Sequence, residues 1–324
     1  MTPAPSASKV RLVSLLPSAT EMACAIGLAE CVVGISHCCD YPAEIRDRPV
    51  LVHSRIPGDG QAGLAEIDAA ASSTLRRGES LYEVDVELLA RLAPTHIVTQ
   101  DLCQVCAPSG NEVTRAMRAL PTQPQVLWMS PHSLADIEEN LRELGRCTGR
   151  VAEARRVIMA GRRRMQRATR AATTAGGTGR PPPRVFCAEW IDPLYCAGHW
   201  VPEMVEKAGG IDPLGRRWAD SVRVSWEAVR EAAPEVMILL PCGFDAASAR
   251  RQAGRLVGLP GWEDLPAVRA NRVFAVDGAY FNRPGPRVFA GVELLAHLLH
   301  PEEVAWTGPA DAIVQITPTA SPEV

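Results

Sequence analysis

Polar and aromatic side chains cluster in four short segments, each directly after a predicted strand. The segments read SHCCDYP at 36–42, QDLCQVC at 100–106, EWIDP at 189–193 with GHW at 198–200, and DGAYFNRP at 277–284. Aromatic residues make up only 5% of the chain, and yet Trp190, Trp200, Tyr280 and Phe281 all fall in the last two segments. Aromatic rings with a few polar groups suit a large, flat, amphipathic ligand. The pattern favours a binding site over simple surface packing, which is the alternative.

Cys103 and Cys106 form a single CxxC motif. A zinc ribbon needs a second pair at the proper spacing, and the sequence has none, so no structural zinc site is predicted here. A redox pair is an alternative. His37 together with Cys38 and Cys39 could join the two cysteines as soft metal ligands. Packing or ligand contact is the favoured interpretation, with Cys103, Cys106 and His37 kept as metal candidates.

Catalytic motifs are not found in the sequence. It contains no GxSxG, no HExxH and no Walker loop. The glycine-rich run GGTGR at 176–180 ends a predicted helix and precedes prolines, whereas a phosphate loop would open a helix. The chain is therefore predicted to be a binding protein without catalytic residues rather than an enzyme.

Composition restricts the class of protein. A chain of 324 residues is long enough for two cores of ordinary size. The formal net charge of −3 argues against nucleic-acid binding, and the arginines at 162–170 are interpreted as a solvated helix face. No apolar run approaches the ~20 residues needed to span a bilayer. The chain is thus predicted not to be embedded in a membrane.

The elements that must position the four segments alternate between strand and helix. A strand in RLVSLLP is followed by a helix to about Gly27, for which Ser18 and Glu21 form a candidate capping box, and by a strand at 32–36. This order is typical of a βαβ unit and a parallel sheet. Further strands are predicted at 96–100, 125–130, 184–190, 236–240 and 272–276. Further helices are predicted at 88–93, 112–120, 134–148, 202–208, 225–233 and 287–300.

A long helical pattern at 151–175 ends in GGTGRPPP, where glycines end the helix and prolines prevent its resumption. The predicted fold class is α/β, with two Rossmann-like lobes, each with a central sheet, bridged by one long α-helix. The predicted domains are a disordered N-terminus at 1–10, an N-terminal lobe at 11–150, the connecting helix at 151–175, a C-terminal lobe at 184–301 and a tail at 302–324.

Two stretches of the chain echo each other. VDVELLARLAP at 84–94 and VSWEAVREAAP at 224–234 share Val, Glu, Ala and Pro at identical offsets, with a shift of 140 residues. Proline stops the helix in both, and a strand follows at once. The echo favours one helix-to-strand unit used twice, and coincidence between two amphipathic helices is the alternative.

The quoted motifs carry a resemblance to a known family. RLVSLLPSATEMACAIGLAECVVGISHCCDYP, LAPTHIVTQD, GHWVPEMVEKAGGID, VSWEAVREAAPEVMILLP and VDGAYFNRPGPR resemble the cobalamin- and siderophore-type substrate-binding proteins of ABC importers. These belong to the class III, helical-backbone type, and the resemblance runs from Arg11 to about His300. The combination of SHxCDYP, DLCxVC and GHWVPEMV is similar to the cobalamin-binding branch. Cobalamin or another corrinoid is the bound ligand that this resemblance implies, with no catalytic cofactor.

The resemblance also implies where the ligand lies, namely in the cleft between the two lobes. An aromatic of the relatives is replaced here by Gln100. The ligand-binding residues expected from the matches and from the four segments are Pro17, His37, Cys38, Asp40, Tyr41, Gln100, Asp101, Cys103, Glu189, Trp190, Asp192, His199, Trp200, Asp277, Tyr280, Phe281 and Arg283. Glu87 and Glu227 match two glutamates that dock on arginines of an ABC permease dimer. A monomeric binding protein is expected.

Two alternatives remain at this point. One is a binding protein for a ferric siderophore or haem. The other is a cytoplasmic metal- or thiol-dependent enzyme on the same fold, which would use Cys103, Cys106 and His37. No signal peptide is visible, so the sequence as it stands predicts a cytoplasmic location, and a removed leader would imply a periplasmic or extracellular one. Ten cysteines in a chain of this length also fit the cytoplasmic interpretation.

Overall fold

The computed structural model describes residues 10–56, 63–100, 116–117, 120, 123–176 and 181–317. Its fold is α/β, as the sequence predicts, and the chain divides into two compact units. Unit 1 comprises Met1–Ala62, Glu66–Pro131 and Ala135–Met159. Unit 2 comprises Gly63–Ala65, His132–Leu134 and Ala160–Val324. No helix within the described ranges is long and apolar enough to cross a membrane.

Unit 1 is built on a six-stranded sheet in the order β4-β3-β2-β1-β5-β6. All neighbours are parallel except β3 and β4, which are antiparallel. Apolar residues such as Leu12, Val13 and Ile97 fill the central strands and are buried, as expected where a parallel sheet is covered on both faces. The strands are β1 Leu12–Ser14, β2 Val32–Ser36, β3 Val50–Ser54, β4 Tyr82–Val84, β5 His96–Thr99 and β6 Gln125–Trp128.

Helices α1 and α4 begin close to the predicted places, α3 begins two residues before the predicted position 88, and α2 was not predicted at all. The predicted capping box is wrong. Helix α1 starts at Pro17, its N-cap is Leu16 without a side-chain bond, and Ser18 and Glu21 are buried inside the helix. Pro17 occupies the first helical position, and its fixed φ favours a helix start without a side-chain cap. The helices are α1 Pro17–Ala25, α2 Leu64–Arg76, α3 Val86–Leu92 and α4 Leu134–Cys147, of which α2 and α4 begin with residues of unit 2. The predicted helix at 112–120 lies largely outside the described residues.

Helix α5, Val151–Gly176, is the long helix predicted from the sequence, and it runs from unit 1 into unit 2. Its buried residues recur every three to four positions, as in Ala154, Ile158 and Met165. The opposite side of the helix carries exposed arginines. With a rotation of 100° per residue around the helix axis, they lie within an arc of about 140°. They are Arg155, Arg156, Arg162, Arg163, Arg167 and Arg170. We call this the arginine face of α5.

Unit 2 contains a five-stranded sheet in the order β13-β12-β11-β7-β8. The three central strands are parallel, and the two outer strands are antiparallel to their neighbours. The strands are β7 Val185–Ile191, β8 Leu194–Cys196, β11 Val236–Leu239, β12 Val273–Val276 and β13 Ile313–Gln315. A separate parallel pair joins β9, Gly198–His199, to β10, Arg216–Arg217. Because β13 pairs with β12, part of the predicted tail at 302–324 belongs to this sheet.

The helices of unit 2 cover its sheet and meet α5. Gly161 of α5 faces the ring of Phe289, and a Cβ at this position would overlap that ring, so glycine permits the close packing of α5 on α11. The predicted helices at 202–208, 225–233 and 287–300 are present within one residue at each end. The helices are α6 Val201–Lys207, α7 Trp226–Ala232, α8 Ala246–Gln252, α9 Gly254–Val257, α10 Pro266–Arg269 and α11 Val288–Leu299.

The two echoing stretches adopt the same local structure. Helices α3 and α7 begin 140 residues apart, and so do the strands β5 and β11 that follow them. Asp85 and Ser225 each cap their helix by accepting a hydrogen bond from the backbone three residues on. Ala93 and Ala233 each end the helix in the left-handed region, with φ of 43° and 44°. One helix-to-strand unit therefore occurs once in each unit of the protein.

Candidate functional site

In unit 1, His37 and Cys38 form a hydrogen-bonded pair directly after β2. The Nδ1 atom of His37 lies 3.0 Å from the carbonyl oxygen of Val52, which can only accept, so Nδ1 carries the proton. The Nε2 atom of the neutral ring can then accept from the Cys38 thiol, whose Sγ is 3.1 Å away. Desolvation of the ring lowers the pKa of His37 and favours this neutral form. Both residues are exposed, so a thiol of fixed position lies at the surface.

A buried network supports this loop from beneath. Thr20 of α1 donates to the hydroxyl of Ser14 at 2.8 Å or to the sulfur of Cys39 at 3.0 Å. Because Cys39 is buried and adjoins Cys38, the network holds the backbone that carries the exposed thiol. Helix α1 and strand β1 thus position a loop that follows β2.

The other predicted residues of unit 1 differ in exposure. Asp40 and Tyr41 are exposed, and Arg46 donates to the backbone carbonyl of Asp40 at 2.9 Å. Pro17 is half-buried at the start of α1, and Gln100 is buried after β5. The remaining predicted residues of this unit lie outside the described residues: Asp101, Cys103 and Cys106.

In unit 2, an aromatic pair joins the end of β7 to the loop after β11. The rings of Trp190 and Phe244 meet edge to face, with centroids 6.0 Å apart. The indole N–H of Trp190 donates to the backbone oxygen of Asp192 at 3.1 Å, which orients the ring. The Asp192 carboxylate lies 3.8 Å from the guanidinium of Arg255. Since both rings are partly exposed, the pair offers an apolar surface with charged groups at its border.

The loop after β12 adds charged groups. Asp277 caps a short turn by accepting from the backbone of Ala279 at 2.9 Å. Burial raises the pKa of Asp277, an effect that Arg287 and Arg283 oppose by their positive charges. The guanidinium of Arg287 lies over the ring of Tyr280 at 5.6 Å, and that ring is only 9% exposed. The ring of Tyr280 therefore packs against the guanidinium of Arg287 and leaves little area for contact with a ligand.

Three predicted residues of unit 2 have structural contacts instead of a free surface. Phe281 is fully buried, at 0% exposure, and its carbonyl accepts a hydrogen bond from the indole of buried Trp200 at 2.6 Å. Glu189 accepts from the backbone N–H of Gly198 at 3.0 Å and so holds β9 beside β7. The structure thus places Phe281 and Trp200 in the core of unit 2, because the loop turns their rings inward.

His199 lies in a second polar cluster of unit 2. Its Nε2 is 3.1 Å from the carboxylate of Asp220, and its ring centroid is 5.7 Å from that of His132. Desolvation lowers the pKa of His199, while the nearby Asp220 charge acts in the opposite direction. The backbone N–H of Trp218 donates to the carbonyl of His199 at 2.8 Å. In the described part of the chain, no group of three or more His, Cys, Asp or Glu side chains is placed to hold a metal ion.

Sequence reasoning missed three residues near these clusters. Phe244 follows β11 in PCGFD, which has the composition of a simple turn. Arg287 lies in a proline-rich stretch and precedes α11. Trp218 is 55% exposed at a positive φ of 62°, with the guanidinium of Arg217 at 4.2 Å over its ring. A tryptophan between charged residues was the available signal, but no strand was predicted there.

Comparison with known proteins gives the family. Residues 12–280 match the model of a periplasmic binding protein family. The chain is 22% identical to a vitamin B12-binding protein of Vibrio parahaemolyticus over 291 residues, which are 89% of this chain and 88% of that protein.

Two solved structures share the fold. A periplasmic haem-binding protein of Pseudomonas aeruginosa superposes with a TM-score of 0.71 at 18% identity, covering 94% of this chain and 97% of that one. The periplasmic vitamin B12-binding protein of Vibrio cholerae superposes with a TM-score of 0.62 at 21% identity, covering 89% and 96%. Since the family model spans most of its length, the chain belongs to the periplasmic binding protein family, the substrate-binding proteins of ABC importers.

Proposed function

We propose that this protein binds a corrinoid, cobalamin first, and hands it on without chemical change. The observation that carries the proposal is the match to a vitamin B12-binding protein over 89% of the chain. Membership of the family gives the substrate-binding role, and the similarity to the vitamin B12-binding protein suggests which ligand is bound. Haem is the competing ligand, because a structural neighbour of the same fold is a haem-binding protein.

The aromatic pair Trp190 and Phe244 supports this ligand class. A corrin ring is large, apolar on its faces and bordered by amide side chains, so an apolar contact rimmed by polar groups suits it. Asp192 and Arg255 stand beside the pair, and Arg283 and Arg287 follow β12. Guanidinium groups present several N–H donors, and these match the carbonyl oxygens of amides. We assign these loops of unit 2 to the ligand.

The loop after β2 supplies the contacts proposed for unit 1. Tyr41 is 50% exposed, so part of its ring lies at the surface of the loop. Asp40 and the pair of His37 and Cys38 are exposed next to it. We assign this loop of unit 1 to ligand binding.

Titration with four candidate ligands tests the assignment. Cobalamin, cobinamide, haem and a ferric siderophore are added to the full chain, with binding followed by calorimetry and absorbance. We expect cobalamin to bind in a 1:1 ratio, to raise the melting temperature by mass action, and to be recovered unchanged. Tight binding of haem or siderophore with no response to either corrinoid would replace the corrinoid assignment. Turnover of the bound ligand would contradict a transport role.

We propose further that Glu87 and Glu227 dock on an ABC permease. Both are exposed, and each lies in the first turn of a helix of the repeated unit, α3 and α7. Two equivalent carboxylates would fit two symmetry-related basic sites of a homodimeric permease, because Arg–carboxylate contacts are directional. The alternative is a local role at the helix start, worth about 0.3–1 kcal/mol each through the helix dipole.

A paired variant separates the two roles. Glu87→Ala with Glu227→Ala should abolish complex formation with a cognate permease while ligand affinity stays unchanged. Glu231→Ala, an exposed glutamate one turn further along α7, is the matched control. The wild-type complex should weaken with rising salt, because the contacts are ionic. An unchanged complex in the double variant would leave only the local role.

A further inference from the structure

We propose that the arginine face of α5 is a docking surface for a bilayer that contains anionic lipids. The surface is independent of the ligand proposed above, because it uses none of the residues assigned to that ligand. All of its residues belong to one continuous helix, Val151–Gly176, so the geometry of that helix sets their relative positions. From Arg155 to Arg170, a rise of about 1.5 Å per residue gives a row of about 22 Å.

The second half of this face has little counter-charge of its own. Within the described ranges, no carboxylate forms an ion pair with Arg163, Arg167 or Arg170. These arginines are three or four positions apart, so neighbouring guanidinium groups repel each other and disfavour the helix. The acidic residue of α5 is Glu153, which pairs with Arg156 at 3.3 Å near the other end. A partner that brings negative charge would relieve the repulsion.

Helix α4 gives an internal comparison, because its arginines are neutralised on the helix itself. Arg142 contacts Glu138 at 2.8 Å and Glu139 at 3.0 Å, and Arg146 contacts Glu139 at 2.8 Å. A helix face that meets only solvent gains from such pairs of opposite charge. The second half of α5 lacks them, and this contrast favours an anionic partner over the solvated helix face that the sequence alone suggests.

An exposed methionine in the middle of the arginine face indicates which anionic partner fits. Met159 is 45% exposed, and at 100° per residue it lies near the centre of the arc that the arginines cover. Arg155 and Arg156 precede it by one turn, and Arg162 and Arg163 follow it by one turn. A thioether side chain gains nothing from the phosphates of a nucleic acid. It gains free energy where the headgroups of a bilayer meet the acyl chains, so the combination favours a lipid surface.

The chemistry of the contact is the pairing of guanidinium groups with lipid phosphates. Each guanidinium can donate two parallel N–H bonds to phosphate oxygens, which a lysine ammonium cannot do. A straight row of such groups can meet a flat surface along its whole length. The helix remains folded on the protein, because its apolar side, including Ala154, Ile158 and Met165, is already buried.

Co-sedimentation with lipid vesicles tests the proposal. The full chain is mixed at low ionic strength with vesicles of phosphatidylcholine alone, or of phosphatidylcholine and phosphatidylglycerol in equal amounts. We expect binding to the mixed vesicles only, with release as salt is added, because the contacts are ionic. An arginine near an anionic surface strengthens binding roughly fivefold. The triple variant Arg163→Gln, Arg167→Gln and Arg170→Gln should therefore lower the partition coefficient about a hundredfold.

A second triple variant changes the net charge equally and leaves the face intact. Arg76→Gln, Arg91→Gln and Arg250→Gln replace exposed arginines on α2, α3 and α8, and binding should stay close to that of wild type. Met159→Gln should weaken binding by a smaller factor that salt does not change, because the contribution of this side chain is apolar. Melting temperatures of all variants show whether each is folded.

Three results would overturn the proposal. The first is no co-sedimentation of wild type with the mixed vesicles at low salt, which would leave the solvated helix face. The second is an equal loss in both triple variants, which would show a response to net charge alone. The third is tighter binding to duplex DNA than to the mixed vesicles, lost in the triple variant of the face, which would make the partner a nucleic acid. Binding of cobalamin is measured separately, so the proposed function does not depend on any of these outcomes.

Discussion

Arg164 and Glu293 form a two-point ion pair between residues 129 positions apart. The Nε atom of Arg164 on α5 lies 2.7 Å from one carboxylate oxygen of Glu293 on α11, and its second nitrogen lies 3.1 Å from the other. Thr307 donates to the same carboxylate through its hydroxyl at 2.6 Å and its backbone N–H at 3.2 Å. The pair thus ties the second half of α5, α11 and the chain beyond α11 together within unit 2.

Removing Arg164 should destabilise unit 2. Glu293 is buried, so Arg164→Met leaves its carboxylate with Thr307 alone, at a cost of about 2–3 kcal/mol in the free energy of unfolding. The double variant with Glu293→Met should recover part of this loss, because it removes the stranded charge. Urea denaturation of the four proteins measures both effects. A double variant less stable than Arg164→Met would contradict the ion-pair explanation.

The same pair predicts acid sensitivity. Burial pushes the pKa of Glu293 upward, but hydrogen bonds from Arg164 and Thr307 outweigh it and hold the pKa below its ordinary value of 4.5. A carboxyl whose pKa is lower in the folded state contributes stability above pH 4.5, and that stability is lost as the pH falls through the folded value. Stability measured from pH 6 to about pH 3 should fall less steeply in Arg164→Met than in wild type.

Asp212 predicts the opposite trend near neutral pH. Burial raises its pKa from 3.8 to about 7, although the backbone N–H groups of Leu214, Cys187 and Gly215 oppose the shift. Between these two values the folded state binds more protons than the unfolded chain, so the contribution of Asp212 to stability falls as the pH rises. The slope of stability against pH from about 4 to 7 should become more positive in Asp212→Asn, whatever its absolute stability. An unchanged slope would contradict the raised pKa.

The left-handed residues Ala93 and Ala233 predict two stabilising substitutions. Alanine pays a steric penalty at positive φ, and glycine does not, so Ala93→Gly and Ala233→Gly should each stabilise the fold by about 0.5–1 kcal/mol. Ala90→Gly, inside α3, is the matched control and should destabilise by a similar amount. Thermal or urea denaturation measures all three. A loss of stability at both left-handed positions would refute the helix-end explanation.

The aromatic pair predicts a loss of ligand affinity. Trp190→Ala removes the ring that meets Phe244, and a buried aromatic anchor is worth about 1–3 kcal/mol of binding. Trp226→Ala is the control, because its ring stacks on Trp262 within unit 2 and is not assigned to the ligand. Calorimetric titration with cobalamin compares the two variants. Wild-type affinity in folded Trp190→Ala would place the ligand elsewhere.

Periodicity and helix-end signals predicted most of the regular structure. The 140-residue echo predicted two helices that begin 140 residues apart, and the run before GGTGRPPP predicted α5 to within one residue. The strands β9 and β10 were missed because each has two residues, and Arg216 and Arg217 show no apolar alternation. Short pairings of this kind depend on the surrounding chain and not on local propensity.

The candidate site was harder to predict residue by residue. Composition selected the segments at the end of β7 and after β12 as candidates, but it could not distinguish an inward ring from an outward one. Phe281 and Trp200 turned out to be buried, while Phe244 and Trp218 remained partly or largely exposed. The direction of a loop side chain is decided by tertiary packing, which a single sequence does not contain.

The arginine face of α5 affects how the protein adsorbs to ion-exchange resins. The whole chain has a formal net charge of −3, of which the six exposed arginines contribute +6, so the remainder carries −9. Helix α5 contains a single acidic residue, Glu153, whose carboxylate lies 3.3 Å from the guanidinium of Arg156. A particle with such uneven charge adsorbs to a cation exchanger at low ionic strength although its average charge is negative. Salt at about 0.15 M, with a screening length of about 8 Å, would release it.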